Sequence, residues 1–300
     1  MRLNKLFIAS LFLAVFAISC DKDDDGGNEV IPDRDRGEQE IADQEALEAY
    51  LSTHFYNYEE FETPASDFDY VVRLDTIDAE NADKIPLIDS DLLEKKVVTR
   101  GEVDYTIYIL KVREGAGEKA KFSDSTFVSY RGQLLNGSSF DGSNTPVWFD
   151  LPNTIIGFGQ SLNEFGGATG FEVNPDNTIS WTNDFGIGTV FIPSGLGYFS
   201  TTRAGIPAYS PLIFNVQVFA TNEADHDKDG IPSYMEDLDG DEILTNDDTD
   251  GDFVPNYGDM DDDGDFVPTA EEISINEDGS INFPDTDGDG TPDYLDKDTY

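Results

Sequence analysis

The chain has 300 residues, 63 of them Asp or Glu against 18 Lys or Arg, for a formal charge of -45 at pH 7. That balance excludes nucleic acid as a partner, because phosphate binding needs clustered Lys and Arg. With 38% hydrophobic and 12% aromatic residues the chain is too apolar to be disordered throughout, and its length allows one or two domains.

The charge is unevenly spread. Residues 221–300 hold 28 acids against Lys228 and Lys297, whereas residues 101–222 hold 11 acids against six bases. The middle therefore reads as the folded core and the end as a different object. In chain order the expected parts are a signal peptide (1–19), an acidic tether (20–38), a helix and arm (39–100), a core domain (101–222) and an acidic tail (223–300).

A short basic start, Met1 to Lys5, precedes the apolar run Leu6 to Ile18. This is the layout of a secretory signal, too short to span a bilayer comfortably. Cys20 is the only cysteine, so no intramolecular disulfide can form. The stretch Ala17-Ile18-Ser19-Cys20 resembles the lipobox of bacterial lipoproteins, with Ala17 where Leu is usual. The resemblance implies diacylation of Cys20 and a lipid anchor in the cell envelope, held stably once two chains are attached. The plain alternative is an ordinary signal cut near Ser19 that leaves a free thiol. The acidic run Asp21 to Asp25 looks like the surface-export signal of lipoproteins in Bacteroidetes-type bacteria. It implies an outer-membrane, surface-exposed location, although a simple spacer would have the same composition.

From Gln39 to Tyr56, the spacing of Ile41, Leu47, Tyr50, Leu51 and Phe55 predicts a helix with one apolar stripe. Residues 57–100 read as an irregular arm with short strands. Between Tyr105 and Ala220 short β-type runs alternate with Gly-rich turns. Strands are expected over 105–112, 126–130, 187–192 and 211–219, with a hairpin at Asn136-Gly137 and one short helix over Ser161 to Phe165. Many strands and one helix predict an α+β domain.

Five pieces of this region, in order, resemble the FKBP-type peptidyl-prolyl isomerases. They are Val128-Ser-Tyr-Arg-Gly-Gln-Leu134, Asn136-Gly-Ser-Ser-Phe-Asp141, Ile155-Ile-Gly-Phe158, Ile192-Pro193 with Tyr198, and Gly205-Ile-Pro207 through Leu212-Ile-Phe214. The resemblance implies an antiparallel sheet wrapped around one short helix, with an aromatic pocket between them. Tyr130, Phe140 and Asp141 would lie on the sheet side, and Ile155 and Phe158 at the helix and pocket floor. Tyr198 and Ile206 would lie on the flanking loop, and Phe214 on the last strand. Phe127 and Phe149 read as core.

The implied activity is cis–trans isomerisation of X–Pro bonds in exported polypeptides. Amide resonance sets a barrier of about 18–20 kcal/mol, and a dry apolar pocket favours the twisted, less conjugated amide. No cofactor is needed for that chemistry. Phe158 and Phe140 would wall the proline ring. The Tyr198 hydroxyl and the Ile206 N–H would hold substrate carbonyls, and Asp141 would act on the rotating carbonyl electrostatically. Asp141, Tyr198 and Phe158 are thus the expected catalytic residues, with Tyr130, Phe140, Ile155, Ile206 and Phe214 binding substrate. Phe158 stands where Trp is usual, Val147 where an aromatic is expected, and an insertion from Phe171 to Phe185, with Trp181, would cover or extend the pocket. Two other classes stay open: a non-catalytic chaperone using the same pocket, and a calcium-dependent surface interaction protein.

In the tail, Asp225, Asp227, Asp229, the Ile231 carbonyl and Glu236 fall at positions 1, 3, 5, 7 and 12 of an EF-type calcium loop, with Gly230 at position 6. The spacing recurs four times. The second loop has Asp237, Asp239 and Asp241 and closes at Asp248. The third runs through Asp248, Asp250, Asp252 and Asp259, so Asp248 would serve two loops. The fourth has Asp261, Asp263, Asp265 and Glu272. The fifth has Asp285, Asp287, Asp289, the Thr291 carbonyl, Asp293 and Asp296. Gly230 and Gly290 suit the sharp turn at position 6, whereas Glu242, Phe253 and Phe266 do not. Pro232, Pro255, Pro268 and Pro292 at position 8 lack the N–H through which EF-hands pair. The tail therefore resembles thrombospondin type 3-like calcium repeats, which implies bound Ca2+ and metal-coupled folding. The bland alternative is a disordered acidic tail.

Overall fold

The computed structural model describes residues 32–299. The signal segment, Cys20 and the acidic run after it lie outside the described residues. Among the described residues no helix is long and apolar enough to cross a membrane.

Helix α1 spans Arg36–Thr53, with Asp35 as N-cap accepting the Glu38 N–H at 2.9 Å. It starts inside the expected tether and ends before Phe55. Its buried face is polar at the front, with Gln39, Glu40 and Asp43, and apolar only from Leu47 through Tyr50 and Leu51. Ile41, expected on the stripe, is 64% exposed. The polar half is satisfied across the interface: the Thr106 N–H donates to Glu40 at 3.0 Å, and the Ser194 N–H and hydroxyl donate to Asp43. An apolar count could not find a face buried through hydrogen bonds.

The arm follows as strand β1 (His54–Tyr56), helix α2 (Tyr58–Glu62) and strand β2 (Leu74–Thr76), which pairs antiparallel with β1. Phe55 is thus on a strand. The next element, β3 (Leu93–Arg100), is not part of the arm at all. It forms a hairpin with β4 (Val103–Arg113) across Gly101, whose φ of +62° suits the turn.

After β4 come β5 (Ser125–Leu134) and β6 (Ser139–Asp150), then helix α3 (Ile156–Leu162) and a small hairpin of β7 (Phe171–Val173) and β8 (Ile179–Trp181). Strands β9 (Gly186–Ile192) and β10 (Leu212–Asn222) complete the domain. The main sheet has six strands in the order β3-β4-β9-β10-β5-β6, all antiparallel, and the class is α+β.

Both faces of the sheet are covered. Ile107, Ile109, Val128, Val190 and Val216 face α3, whereas Tyr108, Leu110, Phe191, Ile213 and Phe219 belong to the cluster with α1 and the arm. That is why all seven residues of β9 are buried. The helix begins at Ile156, five residues before the expected start, and so carries Phe158 itself. Gly157 and Gly159 hide it from propensity. Gly157 is nonetheless required by packing, because a Cβ there would overlap Ile192 Cγ2.

The tail is folded along its length from short 3-10 turns, helix α4 (Thr269–Glu272) and the hairpin β11 (Ser274–Ile275) with β12 (Ile281–Asn282). It docks on the domain through His226 Nε2 to Asp150 Oδ1 at 3.0 Å and Lys121 Nζ 3.1 Å above the Tyr234 ring. Lys121 also pairs with Glu223 at 2.8 Å.

Candidate active site and cation loops

Five rings from four elements converge where α3 meets the sheet. Phe158 on α3 lies 4.8 Å from Phe214 on β10, 5.4 Å from Phe149 on β6 and 6.1 Å from Tyr130 on β5, ring centre to ring centre. Phe140 on β6 meets Phe214 edge-on at 5.5 Å. Gly132 on β5 makes room for this: a Cβ there would sit 2.5 Å from the Phe140 ring and 3.0 Å from Phe214. Tyr130 and Phe140 stay half-buried at the rim, and Phe158 and Phe214 are buried. The result is an apolar hollow with a polar edge.

The edge is Asp141, exposed on β6, whose carboxylate accepts the Tyr130 hydroxyl at 2.8 Å and the Gly142 N–H at 2.8 Å. Burial, and then the Asp141 carboxylate, push the Tyr130 pKa up to about 12. Tyr130 therefore stays a neutral donor across the physiological range.

Phe149, expected as plain core, forms part of the ring cluster. Phe127 does not: it packs with Trp148 and Trp181 in the cluster on the other face. Trp181 also meets Phe171 and Phe219 there. The insertion consequently neither covers nor extends the hollow. Val147 is partly exposed and adds no ring.

Ile155 is the N-cap of α3 and packs against the same core. Tyr198 packs at the core's edge on the loop after β9, with the Arg203 guanidinium 5.5 Å from its ring centre. Ile206 is buried on the same loop, but its N–H donates to the Arg203 carbonyl at 3.0 Å. That N–H is not free for a substrate carbonyl, which corrects the role expected for Ile206. A wide cleft of about 1030 Å³ lies elsewhere, between the arm and β5–β10, lined by polar groups such as His54, Arg73, Asn144 and Gln217. The aromatic hollow differs from that cleft in having apolar walls of buried and half-buried rings.

In the tail the five loops share one backbone. Positions 3 and 5 each accept the N–H two residues on, as in Asp227 with Asp229 and Asp229 with Ile231. Position 6 has positive φ in every loop, including Glu242 at +61° and Phe253 and Phe266 at +79°, so these residues do take the turn. A second left-handed residue at position 4 was missed: Lys228, Gly240, Gly251, Gly264 and Gly288. The recurrent Gly was the available signal.

Carboxylates converge at Asp225/Asp227/Asp229, Asp248/Asp250/Asp252 and Asp261/Asp263/Asp265. Glu272 lies close enough to Asp263 and Asp265 for their charges, after burial, to push its pKa up to about 8. Asp259 is placed similarly beside Asp252 and Asp250. The second loop differs from expectation. Asp247, not Asp248, joins Asp237 and Asp239, and the Asp241 carboxylate is taken by the Ile243 N–H and Asn246 Nδ2. In the fifth loop both Asp293 oxygens accept from Thr286, and Asp296 accepts from Asp298 and Thr299. Asp285, Asp287 and Asp289 there are exposed.

The donor set suits a hard cation. All the converging ligands are carboxylates, and buried oxygens of Asp227, Asp229, Asp261 and Asp263 have no hydrogen-bond partner. Burial, then repulsion by Asp227 and Asp229, pushes the Glu236 carboxyl up to about 10. A bound divalent ion would remove that conflict.

Sequence comparisons match both regions. Residues 116–219 match the family of FKBP-type peptidyl-prolyl cis-trans isomerases, and residues 226–284 match the family described as BamM C-terminal. The chain is 31% identical over 150 residues to the FKBP-type isomerase FkpA of Buchnera aphidicola subsp. Schizaphis graminum, covering 47% of this chain and 52% of that protein. It is 30% identical over 116 residues to FkpA of Escherichia coli K12, covering 38% of this chain and 37% of that protein. The chain thus spans about half or less of the length of the curated relatives it matches. The crystal structure of Escherichia coli FkpA aligns at a TM-score of 0.33 and 28% identity, covering 43% of this chain and 53% of that chain. At that score the fold rests on the strands and helix described above.

Proposed function

We propose that the sheet–helix unit, residues 93–222, is a peptidyl-prolyl cis–trans isomerase acting on proline-containing polypeptides at the cell envelope. The observation that carries it is the convergence of Phe158, Phe214, Phe149, Phe140 and Tyr130 on one hollow edged by Asp141. Its apolar walls would take the proline ring and exclude water, which favours the twisted amide over the planar one. Tyr130 and Asp141 would set the electrostatics at the rim. Tyr198, beside them on the flanking loop, would donate its hydroxyl to a substrate carbonyl.

Lipidation at Cys20 and calcium binding by the tail belong to the same reading, supported by the Ala17–Cys20 segment and by the converging carboxylates. The protein would then be a tethered folding assistant with a calcium-stiffened extension, held at the outer membrane.

The test is an isomerisation assay on a proline tetrapeptide with the full chain. Wild type should exceed the uncatalysed rate, and Phe158→Ala should lower kcat/KM by about tenfold or more. Background rates for both would overturn the catalytic reading, and peptide binding without turnover would make the hollow a binding module.

A further inference from the structure

Loop position 2 is occupied by His226, Leu238, Thr249, Asp262 and Thr286 in the five loops, so the fourth alone has a carboxylate there. In the fourth loop the backbone turns Asp261 and Asp263 toward their own cluster, while Asp262 joins a different group, with Asp227 and Glu236 of the first loop. Ligand oxygens of these three lie within 4.8 Å of one another.

The group is more than a collection of surface acids. Glu236 is 1% exposed and Asp262 is 2% exposed, and both oxygens of each lack a hydrogen-bond partner. Asp227 directs Oδ1 to the Asp229 N–H and leaves Oδ2 unpartnered. The Thr269 hydroxyl, which accepts the Asp262 N–H at 3.2 Å, holds the backbone of Asp262 in place. Buried oxygens are almost always hydrogen-bonded, so this many unpartnered ones pointing at one another imply a cation. An all-oxygen set with two bidentate-capable carboxylates suits Ca2+ over softer metals.

We propose that Asp262 and Glu236, with Asp227, hold one calcium ion that clips the first loop to the fourth. This rests on the calcium reading of the tail and extends it: the ion becomes a cross-link between distant segments, not a ligand of a single loop. The first loop also meets the isomerase-like domain through His226 and Asp150, so the clip joins that docking point to the middle of the tail.

The experiment is a calcium titration of the full chain by calorimetry, paired with amide exchange in calcium. Asp262→Asn, which keeps the buried volume, should lose one ion or weaken it by about tenfold or more. It should also speed exchange over residues 225–236. Glu236→Gln should do the same, and the double variant should lose nothing further, because both act on one ion. Asp278→Asn, in the exposed turn between β11 and β12, should match wild type. A folded Asp262→Asn variant that binds like wild type, or changes exchange only around 259–272, overturns the clip and leaves the loops intact. A flat trace for wild type overturns the calcium reading itself.

Discussion

Asp43 and Glu40, one turn apart on α1, show how single buried charges tie the N-terminal helix to the sheet and its loops. Asp43 accepts the Ser194 N–H at 2.7 Å, and so anchors the start of the loop that carries Tyr198. Glu40 takes the Thr106 N–H with one oxygen, while its other oxygen is buried without a partner. Burial is the main cause that pushes its pKa from 4.5 to about 7, against the Thr106 and Gln44 hydrogen bonds and with the help of the Asp43 charge. The native state therefore keeps this proton to higher pH than the unfolded chain does. Stability should fall as pH rises from about 4.5 to about 7, then level off. Urea unfolding across that range should show the decline in wild type and a flatter profile in Glu40→Gln. An unchanged slope would refute this assignment.

Among the elements, the β7–β8 hairpin and α3 mark what could be read from sequence. The strands over 105–112, 126–130, 187–192 and 211–219 were legible because short apolar runs rich in β-branched and aromatic residues, bounded by turn residues, favour strand over helix. Phe158, Phe140 and Tyr130 were legible through their resemblance to a family pattern. The face that Trp181 covers was not, since an insertion carries no local signal for which side of a sheet it returns to. It packs on Phe127 and Phe219, away from Phe158. Trp181→Ala should therefore cost about 1–3 kcal/mol of stability and leave kcat/KM of the isomerase reading unchanged. A drop in kcat/KM without loss of stability would place the hairpin at the pocket.

For the whole molecule, 28 acids against two lysines in residues 221–300 set a strong mutual repulsion. The tail's polar contacts with the domain include His226 with Asp150, Lys121 with Tyr234 and Glu223, Lys96 with Glu242 at 3.8 Å, the Ala224 N–H with Asp124 at 3.3 Å, and Gln160 with the Glu242 carbonyl at 3.4 Å. Saturating calcium should raise the Tm of the tail's transition by about 5 °C or more over a chelated sample, the shift expected for ligand in large excess over Kd. Scanning calorimetry with and without chelator reads this directly. Identical traces would mean that the loops hold together without metal.

Local chemistry alone was enough to place the acidic loops and several strand runs, because spacing along a chain constrains backbone shape and ligand reach, whereas the rings of the hollow came from the family resemblance, which left out Phe149. Only the tertiary structure decided that Asp247 replaces Asp248, that Asp262 turns from its own loop to the first, and that the Ile206 N–H is already taken. It also decided that β3 joins the main sheet and that α1 buries carboxylates. Each depends on which distant group stands opposite a side chain, and a buried charge or donor takes its role from that partner.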